Sequence, residues 1–506
     1  MHDLVRLYAD EHGRTHATPD QRDKARTRLF THYQDATRAA DTHLDTLPGP
    51  RAPRFPDRAA ALRWLDAEHA NLTATATVAP ALGHPAITTS LTSHLAQYLS
   101  YRRHFDDWIL LTTTVLTICR EAGDRHGEGQ ALNSLGIALA EVRRFEEAIN
   151  AHARAATIHG ELGDRQSEGT MLTNLGLALA EVRRFEEAVS AHAQAAAIFR
   201  ELGDRHRESQ ALNNLGLALR ETRRVQEAIG AHTEAAAIFR ELGDRQRESQ
   251  ALGNLGLALR EMRRFEEAVN AHTEAATIQR ELGDRHREGK SLNNLGLALR
   301  EMRRIEEATG AHTEAAAVFR ELGDRHREGQ ALGNLGLALR EMRRFQDAVA
   351  AGARAAAVFR ELGDRHGEGQ ALNNLGLALR ETRRIEEAIG THTEAAAVFR
   401  ELGDRHREGQ ALGNLGLALR EMRRFDEAVD AGTQAVAIFS KLGDRHSEAQ
   451  ALNCLGLVWA EGRRFEEAVN VYTKTAAIFR ELGDSQREEA TLVLRAHAQR
   501  ALSEPS

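Results

Sequence analysis

Seven histidines share one register of the chain, His126, His206, His286, His326, His366, His406 and His446, separated by forty residues or a multiple of forty. Imidazole is a common zinc ligand, so metal binding is the first chemistry such a ladder brings up. Two ligands of one zinc must each place a ring nitrogen ~2 Å from the ion, whereas packed helices lie ~8–10 Å apart. One histidine per copy does not converge on an ion, so the ladder reads as exposed helix starts and no metal site is expected. A second series, His152, His192, His232, His272, His312 and His392, reads as packing with a hydrogen-bonded ring.

Phosphate chemistry has one candidate string, Gly283 to Ser291, with Gly289, Lys290 and Ser291 at its end. The spacing holds one residue too many for a phosphate-binding loop, and no strand pattern precedes it. It reads as a turn between helices, and no catalytic centre or cofactor is expected. Paired arginines such as Arg263 and Arg264 would suit nucleic acid, but Glu266 and Glu267 follow at once and neutralise the field. They read as a solvated turn, where cations favour the preceding helix dipole.

The remaining constellation is amide and guanidinium. At 100° per residue, Gln210, Asn214, Leu217 and Glu221 form one helical stripe, with Asn213 and Arg220 along its edge. The asparagine recurs at Asn174, Asn254, Asn294, Asn334, Asn374 and Asn414, and the arginine at Arg260, Arg300, Arg340, Arg380 and Arg420. One amide offers a donor and an acceptor to a peptide unit, and guanidinium holds carboxylate with two bonds. Each arginine is followed by glutamate, so internal salt bridging competes with that use. Ser134 and Cys454 replace the asparagine at the ends, and Ala140, Ala180 and Ala460 replace the arginine. A ligand using both ladders is therefore expected between Asn214 and Arg420.

The elements that must position these residues come from a forty-residue unit repeated nine times from Arg125 to Asp484 without insertion or deletion. Such a period implies units that cannot bury their own apolar face and stack on their neighbours. Each copy reads as two helices. Gly203 and Asp204 end one and cap the next. Helix A runs from about Arg205 to Glu221, with Leu212, Leu215 and Leu219 on one face. Helix B runs from about Val225 to Leu242, with Val225, Ala228, Ile229, Ala236, Ile238 and Phe239 as apolar surface. Gly216, Ala228 and Ala235 let the two backbones approach. All 8 prolines fall outside the nine copies, which permits uninterrupted helices.

Before the repeats, Asp3 to Glu11 and Gln21 to Leu44 show helical patterns, residues 1–45 forming a helical segment. A proline-rich linker occupies 46–57, and a helical junction 58–84 carries Trp64, Leu65 and Leu72. Residues 85–124 keep the frame in worn form, with Trp108 and Ala96 in place of the later alanine and glycine. Residues 485–506 hold a capping helix and tail. The net charge of −7 argues against a nucleic-acid surface, and Cys119 and Cys454 alone form no disulfide framework. No run of ~18 apolar residues exists, so a soluble, cytoplasmic protein without a membrane partner is expected.

LeuGly at Leu215 and Gly216, with Ala228 twelve residues on and Ala235 after seven more, resembles the tetratricopeptide repeat. The fold this implies is all-α, an α-α superhelix of antiparallel helix pairs with a forty-residue period in place of the usual ~34. The longer copies are similar to those of kinesin light chains and spindle-orientation adaptors. The resemblance implies that the stripe of Asn214 and Arg220 lines a concave groove for an extended peptide or protein, with self-association through the solenoid as a further partner class.

MetHisAsp at Met1 to Asp3, followed by Ala61 to Leu72, resembles the junction between an NB-ARC nucleotide switch and its repeat arm in STAND regulators, including actinobacterial ones. By that match His2 would contact ADP phosphate if a nucleotide domain lay upstream. Two functions follow: a partner-binding arm of such a regulator, or a free-standing adaptor joining two partners. A nucleotide-dependent switch whose NTPase domain lies outside this chain ranks behind both.

Overall fold

The computed structural model describes residue 15, residues 18–44 and residues 52–503. MetHisAsp, His2 and the helix expected at Asp3 to Glu11 lie outside those residues. Among the described residues every regular element is helical and no strand occurs. The chain forms two compact units, residues 1–244 and 245–506.

In the first unit, helices Pro19–Leu44 and Arg58–Val78 pack with the pair Pro85–Arg102 and Phe105–Ala122. Ala40, Leu44, Leu65, Leu72, Leu91, Leu95 and Trp108 form their core. Asp57 opens the second of these helices by accepting the Ala60 N–H, at 2.7 Å. Three copies follow, each a packed antiparallel pair, Arg125–Glu141 with Phe145–Glu161, Arg165–Glu181 with Phe185–Glu201, and Arg205–Glu221 with Val225–Glu241. The second unit repeats this pairing from Arg245–Glu261 to Phe465–Glu481 and ends on helix Ser485–Ser503.

The sequence explains each helix end. Asp204 accepts the Arg207 N–H at 3.0 Å, and Asp284, Asp324 and Asp404 cap their helices in the same way. Gly203, at φ 69°, takes the left-handed conformation that ends helix B. The other turn is less expected, because the first arginine of each pair is also left-handed. Arg263, Arg303, Arg343 and Arg383 have φ of 59°, 61°, 60° and 62°. Their N–H groups close the helix A terminus, as Arg303 N does on Arg300 O at 3.0 Å. A side chain in this region costs roughly 1–2 kcal/mol, partly offset by the entropy glycine would lose on folding. Arg303→Gly is therefore expected to stabilise the second unit by about 0.5 kcal/mol in urea unfolding, and a clear loss of stability would contradict this reading.

Within a copy the glycine of helix A serves a ring more than a backbone. A Cβ on Gly216 would lie 2.6 Å from His232 Cε1, and one on Gly296 the same distance from His312 Cε1. Where Gly352 and Gly432 replace the histidine, backbone becomes the nearest neighbour: a Cβ on Gly336 would meet Ala348 O at 3.5 Å. The close approach expected at Gly216 is thus realised only where the ring is missing.

A second packing device has no hydrophobic signature. Glu208, Glu248, Glu288, Glu328, Glu368 and Glu408 are buried in the first turn of helix A. Glu288 is held between Arg280 of the preceding helix B and Arg285 of its own helix, each at 2.6 Å. Arg285 also reaches Glu321 at 2.8 Å, and Arg280 reaches Glu314 at 2.5 Å. The buried carboxylates of Glu208, Glu288, Glu328, Glu368 and Glu408 each join successive helices in this way.

Candidate functional site

The leucines of the helix A stripe are among the apolar side chains left open by this packing, as are the leucines that cap helix B, such as Leu202 and Leu322 at 47% and 46% exposed. Leu177 and Leu217 are 48% and 39% exposed, while Leu257, Leu297, Leu337, Leu377 and Leu417 are half-buried. Leu212 and Leu219, on the opposite face of the same helix, are buried in the core. A 3.6-residue period places Leu217 beside Asn214 and Glu221, so each of the copies that carries the asparagine presents one apolar group flanked by amide and carboxylate.

The seven asparagines of the stripe have two different jobs. Asn174 donates to Asn133 Oδ1 at 2.9 Å, Asn334 to Asn293 at 3.1 Å and Asn414 to Asn373 at 3.1 Å, each reaching back to the preceding helix A. Asn254 also has a partner. Asn214, Asn294 and Asn374 make no side-chain hydrogen bond among the described residues. The difference originates one position earlier, where Asn133, Thr173, Asn213, Gly253, Asn293, Gly333, Asn373, Gly413 and Asn453 succeed one another. An asparagine there accepts from the next copy; a glycine offers nothing. The unit of forty is therefore, at this face, a unit of eighty over the middle copies.

The same residue orients the buried rings. His232, His312 and His392 Nδ1 lie 3.1, 3.1 and 3.2 Å from Oδ1 of Asn213, Asn293 and Asn373, which fixes Nδ1 as the donor. His272, in the copy with Gly253, has neither ring nitrogen bonded, and His152 and His192 leave Nδ1 unpartnered. The hydrogen-bonded ring expected for the whole series thus holds for three of its members. Burial pushes all six histidines down to about 4, so they are neutral in the folded chain at neutral pH.

The arginines divide too. Arg300 pairs with Glu341 at 3.3 Å, Arg380 with Glu421 at 3.0 Å and Arg420 with Glu461 at 3.6 Å. Arg220 is also engaged. Arg260 and Arg340 make no ion pair among the described residues. Glu341 and Glu421, which follow Arg340 and Arg420, are consumed by Arg300 and Arg380 of the previous copy, which is how the competition anticipated from sequence is realised in those copies.

Glycine at the alternating position leaves space. A Cβ on Gly253, Gly333 or Gly413 would have nothing within 4 Å. At Gly413 this space is part of a cleft of about 290 Å³, lined among others by Asn373, Gln410, Asn414, Leu417, Gln450 and Cys454. Burial raises the Cys454 thiol above its ordinary range, which makes it an inert wall and not a nucleophile. At the other end of the series, Ser134 accepts from Trp108 Nε1 at 3.0 Å, so the worn copy uses that position for packing.

The other candidates have structural partners. Gly283 is a left-handed helix end, and Ser291 is buried in helix Arg285–Glu301, so the glycine-lysine-serine string is not a phosphate loop. Arg264 makes a bidentate pair with Glu267, both bonds at 2.7 Å. His286, His326 and His406 reach the capping aspartate of the next copy at 3.2, 3.2 and 3.1 Å. No helix among the described residues is long and apolar enough to cross a membrane.

A family model for the tetratricopeptide repeat matches residues 167–241, 207–281, 247–321, 287–361 and 367–441, which together span more than half of the chain. No curated protein matches. Among solved structures, BtubC from P. vanneervenii is 21% identical with a TM-score of 0.39, covering 43% of this chain and 92% of its own. A signal-transduction ATPase with a tetratricopeptide repeat sensor from Pyrococcus horikoshii is 13% identical with a TM-score of 0.48; the likeness covers 69% of this chain and 54% of that protein. The quorum sensor NprR from B. thuringiensis is 12% identical with a TM-score of 0.42, covering 73% and 98%.

Proposed function

The chain belongs to the tetratricopeptide repeat family, and we propose that it is a non-catalytic scaffold whose helix A face holds an extended segment of a protein partner. The observation that carries this reading is the combination, in one stripe, of half-exposed leucines with amides that have no partner of their own. Leu297 beside Asn294 and Leu377 beside Asn374 are two such places in the second unit. An apolar group that stays open in a closely packed stack, next to an unused donor and acceptor, suits a strand of peptide whose side chains and backbone alternate.

The alternation sharpens the partner. Asn294 and Asn374 lie two copies apart, and so do the open positions Gly333 and Gly413. A segment lying along this face meets equivalent features at every second copy, so a ligand with a repeated small or apolar side chain fits best. Arg340 supplies a guanidinium for an acidic residue in such a segment.

A displayed library of random peptides, panned against the full chain, tests this. Enriched peptides are expected to lose at least about tenfold in affinity for a Leu297→Glu, Leu337→Glu variant, since burying an unpaired charge against an apolar ligand is costly. Peptides that bind both proteins equally would place the site elsewhere.

The finer reading is the partner-binding arm of a STAND-type regulator. It is supported by the sequence at Met1 to Asp3 and Ala61 to Leu72. Within the latter, Leu65 and Leu72 are buried, and Trp64 packs at 5.6 Å on Phe55. An in-frame phosphate-binding loop in genomic sequence upstream of Met1 is the expected finding. A stop codon immediately before Met1 would favour the free-standing adaptor.

A further inference from the structure

One copy departs from the others at a position that is otherwise aromatic or amide. The last turn of helix B carries Phe199, Phe239, Phe319, Phe359, Phe399, Phe439 and Phe479 in other copies and Gln279 in one, but His159 in the first. His159 is fully buried, and neither of its ring nitrogens makes a hydrogen bond. A buried imidazole in this state forgoes bonds that water would give it, so its replacement of phenylalanine brings no gain in packing.

What the ring faces gives it a use. Its Nε2 lies against Gly129, where a Cβ would come within 2.6 Å. Its Nδ1 points to Asp164, 3.3 Å from Oδ2. The ladder histidine of the same copy, His126, brings its own Nδ1 to 3.8 Å from that oxygen. The three donor atoms all lie within 4.8 Å of one another. Tetrahedral ligands at ~2.0–2.2 Å from a zinc ion stand roughly 3.3 Å apart, so the Asp164–His159 spacing already fits. His126, whose side chain is 55% exposed, is free to close the remaining gap.

We propose that His126, His159 and Asp164 form a three-ligand site for a divalent transition-metal ion of the zinc class, with water in the fourth position. The outer shell is consistent with this. Asp164 uses Oδ1 to cap the Ser167 N–H at 3.1 Å, which leaves Oδ2 for the ion. Gln130 lies 2.8 Å from His126 Nε2, and its amide can turn to accept the proton that metal binding through Nδ1 fixes there. The ligands come from the start of one helix A, the end of its helix B and the cap of the next helix A, so the ion staples two copies of the first unit together. The convergence that one histidine per copy cannot provide arises here from a second histidine on the partner helix.

The cluster His69, His104 and Asp107 has similar composition but a different geometry. The two rings stack at 4.1 Å between centroids with an interplanar angle of 18°. Their in-plane lone pairs run side by side and do not meet at a common point.

The test is titration of the full, chelator-stripped chain with Co²⁺, followed by visible d–d absorption, and with Zn²⁺, followed by calorimetry and thermal unfolding. One equivalent is expected to bind above the weak background of the remaining histidines and to raise the unfolding temperature. His159→Phe restores the residue of the other copies and preserves the fold; Asp164→Asn keeps the helix cap while removing the charge. Each is expected to weaken that equivalent at least about tenfold. Absence of the tight equivalent from the unmodified chain, or its retention in either variant, would overturn the site.

Discussion

Glu288→Ala is expected to destabilise the second unit by about 3 kcal/mol. Its carboxylate is fully buried and is bonded at 2.6 Å to both Arg280 and Arg285, so truncation leaves two guanidinium groups facing a space that held their counter-charge. The loss of one partner from a buried pair costs about 3–5 kcal/mol, and the low end applies because both arginines reach solvent with their other nitrogens. Glu288→Gln keeps the shape and one acceptor and should cost less. Urea unfolding of the two variants beside the unmodified chain measures the difference. A change of under about 0.5 kcal/mol for Glu288→Ala would show that the arginines re-pair with Glu314 and Glu321 at no loss, and that the clamp does not hold the stack.

The second large effect is acid lability. Each unit buries three of the six histidines whose imidazoles are held down to about 4, His152, His192 and His232 in the first and His272, His312 and His392 in the second. An unfolded chain takes up those protons near the ordinary 6.5. Above that pH both states are neutral there and the groups do not affect stability. As the pH falls from 6.5 towards 4 the unfolded state binds protons that the folded state refuses, so stability declines throughout that window. At pH 5 the loss is on the order of 2 kcal/mol per histidine, which for three of them approaches the whole stability of an ordinary domain.

Tyr472 occupies the same register and sits buried over Gly456, so tyrosine is a replacement that the fold already tolerates. A His312→Tyr, His392→Tyr variant should shift the acid-unfolding midpoint of the second unit, followed by circular dichroism, to lower pH. An unmodified chain as stable at pH 5 as at pH 7 would contradict the assignment.

Much of this architecture is legible in the sequence because the helix ends are written in residues with one physical role. Gly203 and Asp204 mark a boundary that the structure keeps, and helix A runs from Arg205 to Glu221 as the pattern requires. Helix B ends one residue earlier than expected, at Glu241, because Leu242 is already the cap. The charged residues were harder to place. Glu208 is polar and in a first turn, where solvent is the ordinary expectation, and only the arrival of Arg200 from the preceding helix makes its burial tolerable.

The candidate site was legible as a stripe and not as a circuit. Asn334 and Asn294 occupy the same register and look equivalent, yet one is spent on Asn293 and the other is not. The distinguishing signal was present one residue earlier, in the alternation of Asn293 and Gly333, but its meaning depends on which neighbour each amide reaches. His159 shows the same limit: its departure from phenylalanine is visible in sequence, whereas its approach to Asp164 needs the packed helices.

The central claim, that the helix A face receives the partner, is tested most directly by site-specific photo-crosslinking. A benzophenone side chain is placed at Leu297 or Leu337 on the stripe, or at Glu314 on helix B, and each protein is irradiated with an enriched peptide. Crosslinks at Leu297 and Leu337 with none at Glu314 are the expected result. Crosslinking confined to Glu314 would put the partner on the helix B surface and contradict the account.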